Sequence, residues 1–228
     1  MMTYRNKFYH LKNNLKRFTY NESIFNNECG QKALLSIGHG DYDQWSQRLL
    51  PNTRLIVEPE IIGINIAIQY INGKLNKAIN KYSEDITKKI TPLQYIPKKL
   101  PIIENFEIQG VLYKNENISA KYSKRFINSD NNNNSKLLVT NFCAFHIYHC
   151  KINHYQSLKE LKKLKFEVPQ SECTKFISDI EIYRQCWREG KLFKSYPTSG
   201  LVLKINSRKL QKSLEENNLS LHWAYAIN

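Results

Sequence analysis

The residue types that most often perform catalysis or bind metals are present in this chain, but their spacing matches no general motif. None of the patterns GxxxxGK[ST], GxGxxG, HExxH or GxSxG occurs. The histidines are scattered along the chain, so we expect surface or core histidines rather than a metal site. They are His10, His39, His146, His149, His154 and His222.

The five cysteines also fail to form a recognisable site. They include no CxxC pair, and their odd number argues against a full disulfide framework. A zinc site would need closer ligand spacing. We expect reduced, partly buried thiols in a cytosol-like compartment. The compositional bias toward Asn, Lys and Ile adds an organelle such as a plastid to the candidate locations. The cysteines are Cys29, Cys143, Cys150, Cys173 and Cys186.

The elements that must position any site mix strands and helices. Residues 63–70 alternate with period two, and Asn72-Gly73 then predicts a hairpin turn into a partner strand at 74–79. Without strict βαβ alternation, the pattern predicts an α+β domain. Ser83 is a candidate cap for a short helix that Pro92 limits. Further predicted strands cover 106–113, 137–149, 200–206 and 222–227, and predicted helices cover 43–50, 157–165, 174–190 and 207–216.

One predicted helix has a clear apolar face. In residues 174–190, Phe176, Ile180, Tyr183 and Trp187 recur at helical spacing.

The sequence as a whole divides into two parts. Residues 1–53 form a poorly periodic N-terminal extension with a candidate basic helix at 7–20, and residues 54–228 form one domain. The asparagine-rich stretch 128–136 is a low-complexity loop that cannot bury apolar surface.

The chain is strongly basic, with 34 lysines and arginines against 20 carboxylates, a formal net charge of +14. This surplus favours polyanions, because each neutralised phosphate releases counterions. The plainer interpretation is a solvated, lysine-rich surface.

No run of eighteen apolar residues occurs, so a membrane span is not predicted. The N-terminus is basic, but the apolar run of a secretory signal does not follow it, so we expect no such signal.

A family resemblance begins at Val57-Glu58-Pro59-Glu60-Ile61-Ile62-Gly63, which precedes the hairpin Tyr70-Ile71-Asn72-Gly73-Lys74-Leu75. In NAD+-dependent DNA ligases an "E-x-K-x-D-G" segment precedes just such a "Y-x-N-G-x-L" hairpin. Similar segments follow in the family's order at 83–87 (with the glycine-rich part before it deleted), 96–100, 106–113, 141–145, 198–206 and 223–228. Residues 54–228 therefore resemble the adenylation domain of these ligases.

The resemblance implies a fold and a chemistry. The fold is the α+β nucleotidyltransferase fold of DNA ligases and mRNA-capping enzymes, with antiparallel sheets flanked by helices. The chemistry is attack of a lysine amine on the NAD+ α-phosphate, with Mg2+, and transfer of AMP to a 5′-phosphate at a nick in duplex DNA. A deprotonated lysine amine is a competent nucleophile in a cationic pocket.

Several positions depart from the family pattern where that chemistry would occur. Glu60 aligns with the nucleophilic lysine, so no catalytic residue is assigned. A carboxylate there would meet the phosphate with like charge. The loss of several polar positions at one site predicts loss of catalysis. The other altered positions are Ile62, Gln109, Val111, Ser199 and Asn228.

Four residues remain as candidate remnants of a nucleotide pocket: Glu58, Gly63, Lys204 and Trp223. The resemblance makes Glu58 an acidic contact to adenine, Lys204 a phosphate contact and Trp223 an aromatic of the last strand. The alternatives are that Glu58 and Lys204 face solvent and that Trp223 packs in the core.

Three hypotheses stay open from the sequence. The first is a non-catalytic ligase-like protein that binds nucleic acid or acts as a scaffold for a protein partner. The second is an active nucleotidyltransferase of DNA repair or replication that uses a relocated lysine, with Lys74, Lys77 and Lys81 as candidates. The third is an unrelated basic nucleic-acid-binding domain whose motif matches arise by chance.

Overall fold

Two antiparallel sheets of four strands organise the part of the chain that the computed structural model describes, which is residue 34 and residues 37–114, 141–148, 150–216 and 223–228. The strands are β1 Leu55–Ile61, β2 Ile64–Ile71, β3 Lys74–Asn80, β4 Phe106–Tyr113, β5 Asn141–Ile147, β6 Glu172–Thr174, β7 Thr198–Ile205 and β8 Ala224–Ile227. The helices are α1 Tyr42–Gln47, α2 Thr87–Ile90, α3 His154–Lys163, α4 Asp179–Arg188 and α5 Arg208–Glu216.

The first sheet has the strand order β6-β1-β7-β8 and the second β3-β2-β4-β5. All their pairings are antiparallel. This arrangement confirms the predicted α+β class with antiparallel sheets flanked by helices. Of the described helices, none is both long and apolar enough to cross a bilayer.

The predicted hairpin at the start of the second sheet is confirmed. Asn72 and Gly73 both have positive φ, 50° and 70°, as the tight turn between β2 and β3 requires. A Cβ atom on Gly73 would lie 1.8 Å from the carbonyl oxygen of Ile102, so only glycine fits there. The turn fixes the register that buries Ile66 and Ile68 in the main core.

The alternation of side chains along β1 puts its core residues on one face and its candidate site residues on the other. Leu55 and Val57 face a core cluster that includes Leu201 and Leu203 of β7. Because successive side chains point to opposite faces, Glu58 and Glu60 share the other face. That face looks toward the second sheet, since Glu58 contacts His154 of α3, and α3 packs on β5.

The helix predicted at 174–190 begins later than its apolar spacing indicated. Residues 172–174 instead pair with β1 as β6, and α4 starts at Asp179. Phe176 therefore lies outside the helix and is 64% exposed, so its predicted place on the apolar face was wrong. Ile180 is buried in the core of the first sheet, and Tyr183 and Trp187 pack against that core while partly buried.

The predicted cap of the short helix was also wrong. Ser83 has φ 63°, and α2 begins only at Thr87. The side chain of Asp85, not of Ser83, accepts the Thr87 backbone N–H at 2.9 Å. Strand β5 is shorter than the predicted 137–149, and residues 137–140 and 149 lie outside the described part of the chain. The predicted helix 7–20 and loop 128–136 lie outside it too.

Gly63 joins the two sheets, and we expect Gly63→Ala to lower the free energy of unfolding by about 2–3 kcal/mol. A Cβ there would lie 2.3 Å from the carbonyl oxygen of Leu112 and 2.5 Å from Cγ2 of Val111, so β4 would have to shift. Urea titration followed by circular dichroism measures the change.

Gly190→Ala is the matched control for this substitution. Gly190 has φ 64° but nothing within 4 Å of its Cβ position, so alanine should cost only about 1–2 kcal/mol of backbone strain. An equal or smaller loss in Gly63→Ala than in Gly190→Ala would contradict the close approach of β4.

Candidate functional site

A buried group of three ionisable side chains lies between the two sheets. The Lys204 Nζ donates to Glu58 Oε2 at 2.7 Å, and His154 Nε2 contacts Glu58 Oε1. Their relative exposures are only 1% for Glu58, 2% for Lys204 and 3% for His154. The interpretation of Glu58 and Lys204 as solvent-facing strand residues was therefore wrong.

Strand register and a helix end bring these side chains together. Glu58 pairs with Val202 across β1 and β7, and Ile56 pairs with Lys204, so the lysine and the carboxylate are diagonal neighbours on one face. His154 is the first residue of α3. The Asn206 carbonyl accepts its backbone N–H at 2.9 Å, which anchors the helix start beside the end of β7.

The local charges of the three groups balance. Burial alone would raise the pKa of Glu58, but Lys204 and His154 outweigh it and hold that pKa below its ordinary value. Burial lowers the pKa of His154 against the opposing effect of Glu58, so the imidazole is neutral and its Nε2–H donates. One carboxylate and one ammonium thus leave the group with no net charge.

Sequence reasoning placed His154 only among surface or core histidines and missed its partnership with Glu58. The two residues are 96 positions apart, and no local pattern connects them. One general rule could have pointed to a further partner. A buried carboxylate needs hydrogen-bond donors for both of its oxygens, and a single contact with a lysine satisfies only one of them.

Aromatic rings surround this group. Lys204 Nζ lies 4.5 Å from the ring centroid of Phe145 on β5. The Trp223 ring lies 5.3 Å from that of His146 and 6.2 Å from that of His154. Trp223 is 4% exposed and belongs to the core of the first sheet, in agreement with the core-packing alternative.

Glu60 lies farther along the same face of β1 and is only partly buried. Its Oε2 is 3.1 Å from the place where a Cβ on Gly200 would stand, so the paired glycine leaves room for the carboxylate. Ser199 is exposed, and its hydroxyl reaches only the backbone oxygen of Glu60 at 3.4 Å. Among the described residues, no Lys, Arg or His forms an ion pair with Glu60.

Val111 lies in an apolar cluster that bridges the sheets. It is 3% exposed, and the cluster joins β4 and β5 to the end of β1. At its border the Tyr113 hydroxyl donates to Glu167 Oε1 at 2.5 Å, and burial followed by Glu167 raises the pKa of that phenol. The other members are Cys143, Ile61, Phe145 and Tyr196.

The remaining altered positions have structural contacts. The Ile62 backbone N–H donates to the Pro197 carbonyl at 2.7 Å. Gln109 is buried and accepts the Tyr148 hydroxyl at 2.7 Å. The backbone oxygen of Asn228 accepts from two arginines of α4, Arg184 at 2.6 Å and Arg188 at 3.0 Å.

The candidate relocated lysines lie in another part of the fold. Lys74 and Lys77 are on β3, the outer strand of the second sheet, and Lys81 follows that strand directly. Strand β2 separates them from β4 by about 10 Å, two strand spacings. In the described part of the chain, no cluster of three or more His, Cys, Asp or Glu side chains could hold a metal ion.

The two antiparallel sheets with the buried ionisable group between them define the class of protein. The structure matches a putative ATP-dependent DNA ligase from Aquifex aeolicus with a TM-score of 0.54 at 11% identity, covering 85% of this chain and 48% of that one. It matches the ligase domain of Mycobacterium tuberculosis LigD with a TM-score of 0.51 at 12% identity, covering 80% of this chain and 56% of that one. The fold is thus the nucleotidyltransferase fold of ligases.

The sequence narrows that class to one family. The model of the NAD-dependent DNA ligase adenylation domain matches residues 38–228. A DNA ligase of Prochlorococcus marinus (strain NATL2A) is 29% identical over 217 residues, covering 76% of this chain and 31% of the relative. One from Mycoplasma capricolum is 27% identical over 201 residues, covering 77% and 30%. The chain belongs to the NAD-dependent DNA ligase adenylation-domain family and spans about a third of the length of these relatives.

Proposed function

We propose that this chain is a non-catalytic adenylation-domain protein that binds nucleic acid and forms no covalent adduct with AMP. The observation that carries the proposal is the Glu60 carboxylate, which the resemblance aligns with the lysine nucleophile. This side chain lies on the same face of β1 as Glu58, and no described Lys, Arg or His forms an ion pair with it.

A carboxylate at this position opposes the reaction by charge. Two unit charges 4 Å apart in a partly buried site interact by about 4 kcal/mol, and here the sign is repulsive toward the NAD+ α-phosphate. An attacking amine would be neutral and would approach the phosphate without this penalty. Substrate would therefore bind less well, and the transferred phosphorus would have no nitrogen to accept it.

The surrounding side chains do not fit an adenylyl phosphate with Mg2+. Mg2+ prefers carboxylate oxygens, but the position aligned with a family glutamate is Val111, packed in an apolar cluster. The position aligned with a family aspartate is Ser199, whose hydroxyl faces the backbone. No step through NAD+ or Mg2+ is assigned to this chain.

The two charged remnants of the pocket are already engaged with each other. Both Glu58 oxygens accept contacts, one from Lys204 and one from His154. For Lys204 to neutralise a phosphate instead, the buried pair would have to break, and separating such a pair costs about 3–5 kcal/mol. The ion pair therefore supports a structural role for these residues.

The nucleic-acid part of the proposal rests on charge and on the family. The formal net charge of +14 favours a polyanion, and the matched relatives are DNA ligases. The predicted binding partner is DNA, including nicked duplex. Binding of this kind should weaken steeply as salt rises.

Intact-mass measurement tests the loss of adenylation. The full chain is incubated with NAD+, and separately with ATP, in the presence of Mg2+, and is then denatured. We expect the unmodified mass in both samples, with a bacterial NAD-dependent DNA ligase as the positive control. A mass increase of one adenylyl group would refute the inactive assignment and support a relocated lysine.

Gel-shift titration tests the nucleic-acid part separately. Nicked duplex DNA is titrated at low and at moderate salt, and the affinity should fall as salt rises. No shift at low salt, or a shift insensitive to salt, would remove nucleic-acid binding from the proposal. The adenylation result would stand unaffected.

A further inference from the structure

The outer edge of the second sheet, together with the segment that folds back along it, carries a row of lysines. Residues 74–99 contain seven lysines and two carboxylates, a net charge of +5. We call the row the lysine edge. All its members are exposed except Lys77, which is partly exposed. The members are Lys74, Lys77, Lys81, Lys88, Lys89, Lys98 and Lys99.

The chain folds back along β3 and so aligns these lysines. An isolated bridge sets Lys74 opposite Lys99, and the Lys98 carbonyl accepts the Leu75 N–H at 3.0 Å. Toward the other end of β3, Ile79 bridges to Asp85. The seven residues of β3 extend about 23 Å. An edge of this length can contact several successive phosphates of one strand.

The charge of the lysine edge is offset only in part. The hydrogen bond from the Thr87 hydroxyl, and then the nearby Lys77 and Lys88, lower the pKa of the Asp85 carboxyl. Lys74, Lys98 and Lys99 form no ion pair with any described carboxylate. The two carboxylates of the segment also accept local hydrogen bonds. Asp85 accepts from the Thr87 hydroxyl at 2.6 Å, and Glu84 accepts from the Asn80 amide at 2.6 Å. Opposed like charges such as Lys74 and Lys99 are destabilising, and an anionic ligand relieves that cost.

Two exposed aromatic rings lie within this basic segment. Tyr82 is 64% exposed and Tyr95 is 43% exposed, although tyrosine rings contribute most when their apolar faces are covered. Lys81 Nζ lies 5.0 Å from the Tyr82 ring centroid. A basic segment with exposed aromatic rings is the arrangement that binds unpaired nucleotides, because phosphates contact the lysines and bases stack on the rings.

From this combination we infer that the lysine edge, with Tyr82 and Tyr95, is the surface that binds a single-stranded segment of nucleic acid. The inference rests on the proposed nucleic-acid binding and adds the location and the strand type. The phosphates of a duplex would contact the lysines, but its bases are already stacked on one another and could not stack on the tyrosine rings. The surface therefore favours a strand with unpaired bases.

Fluorescence anisotropy with the full chain tests this location. The probes are a labelled single-stranded DNA oligonucleotide and the same strand in a duplex. The edge variant is Lys74→Gln/Lys98→Gln/Lys99→Gln. The matched control removes three exposed lysines elsewhere, Lys162→Gln/Lys194→Gln/Lys209→Gln. At low salt the edge variant should bind single strand about tenfold or more weakly, and its salt slope should fall by about 2. The control should change by less than about threefold.

The tyrosine contribution has its own pair of variants. Tyr82→Ala should weaken single-strand binding about fivefold or more and leave duplex binding unchanged, whereas Tyr82→Phe keeps the ring and the affinity. Equal losses on single strand and duplex would overturn the stacking role. Circular dichroism of every variant verifies that the fold is retained.

Three outcomes would overturn the inference. If the edge variant binds as tightly as the control while the wild type binds DNA, the location is wrong and the proposed function survives. If the wild type binds no oligonucleotide at low salt, both fail together. If it binds anionic phospholipid vesicles and no oligonucleotide, the lysine edge is a membrane-facing surface instead.

Discussion

Replacing Lys204 with methionine should lower the free energy of unfolding by about 3–5 kcal/mol, one of the two largest effects we expect. The substitution keeps the side-chain volume but removes the ammonium group that is paired with the buried Glu58 carboxylate. Uncompensated buried charge is strongly unfavourable. Urea titration followed by circular dichroism and tryptophan fluorescence measures the loss.

Two further variants separate charge from packing. Lys209→Met changes an exposed lysine of α5 and should shift stability by less than about 0.5 kcal/mol. Combining Lys204→Met with Glu58→Gln removes both charges, and we expect most of the lost stability to return. A single Lys204→Met variant as stable as the wild type would contradict a buried ion pair at this place.

Restoring only the nucleophile, by Glu60→Lys, should leave adenylyl transfer on the order of 10⁴-fold or more below that of an active bacterial adenylation domain. Removing one charged or polar group that stabilises a developing charge costs on the order of 10²–10³ in rate. Here Val111 and Ser199 both stand where the resemblance expects carboxylates. Single-turnover assays with NAD+ measure the rate of adduct formation.

The second arm of this experiment adds the missing carboxylates stepwise. Glu60→Lys/Ser199→Asp changes an exposed residue and should fold, and it should exceed Glu60→Lys in rate. Adding Val111→Glu places a charge in an apolar cluster, so its thermal midpoint is recorded beside its rate. If Glu60→Lys alone matched the bacterial domain, the altered positions around it would be functionally intact after all.

Local signals made much of the fold predictable. The β2–β3 hairpin followed from period-two alternation and Asn72-Gly73, and the strand at 106–113 has the predicted bounds. The start of α4 did not follow from local pattern. Residues 172–174 become β6 only because the edge of β1 is available to pair with them, which is a tertiary effect.

The site was predictable in its residues but not in its contacts. The family pattern drew attention to Glu58, Glu60 and Lys204 along the chain. Glu58 lies 146 positions from Lys204 and 96 from His154, and local periodicity carries no information over such separations. The same limit applies to Val111, whose apolar neighbours outside β4 come from three other parts of the chain.

Retention of label from NAD+ by the denatured chain tests loss of adenylation most directly. NAD+ carries a radiolabel in its adenylyl phosphate, and the full chain is incubated with it and Mg2+, denatured and freed of small molecules. This readout detects an adduct on any lysine, including Lys74, Lys77 and Lys81. We expect no label above a protein-free control. Retained label that is stable in alkali and lost in acid, as a phosphorus–nitrogen bond would be, would contradict the account.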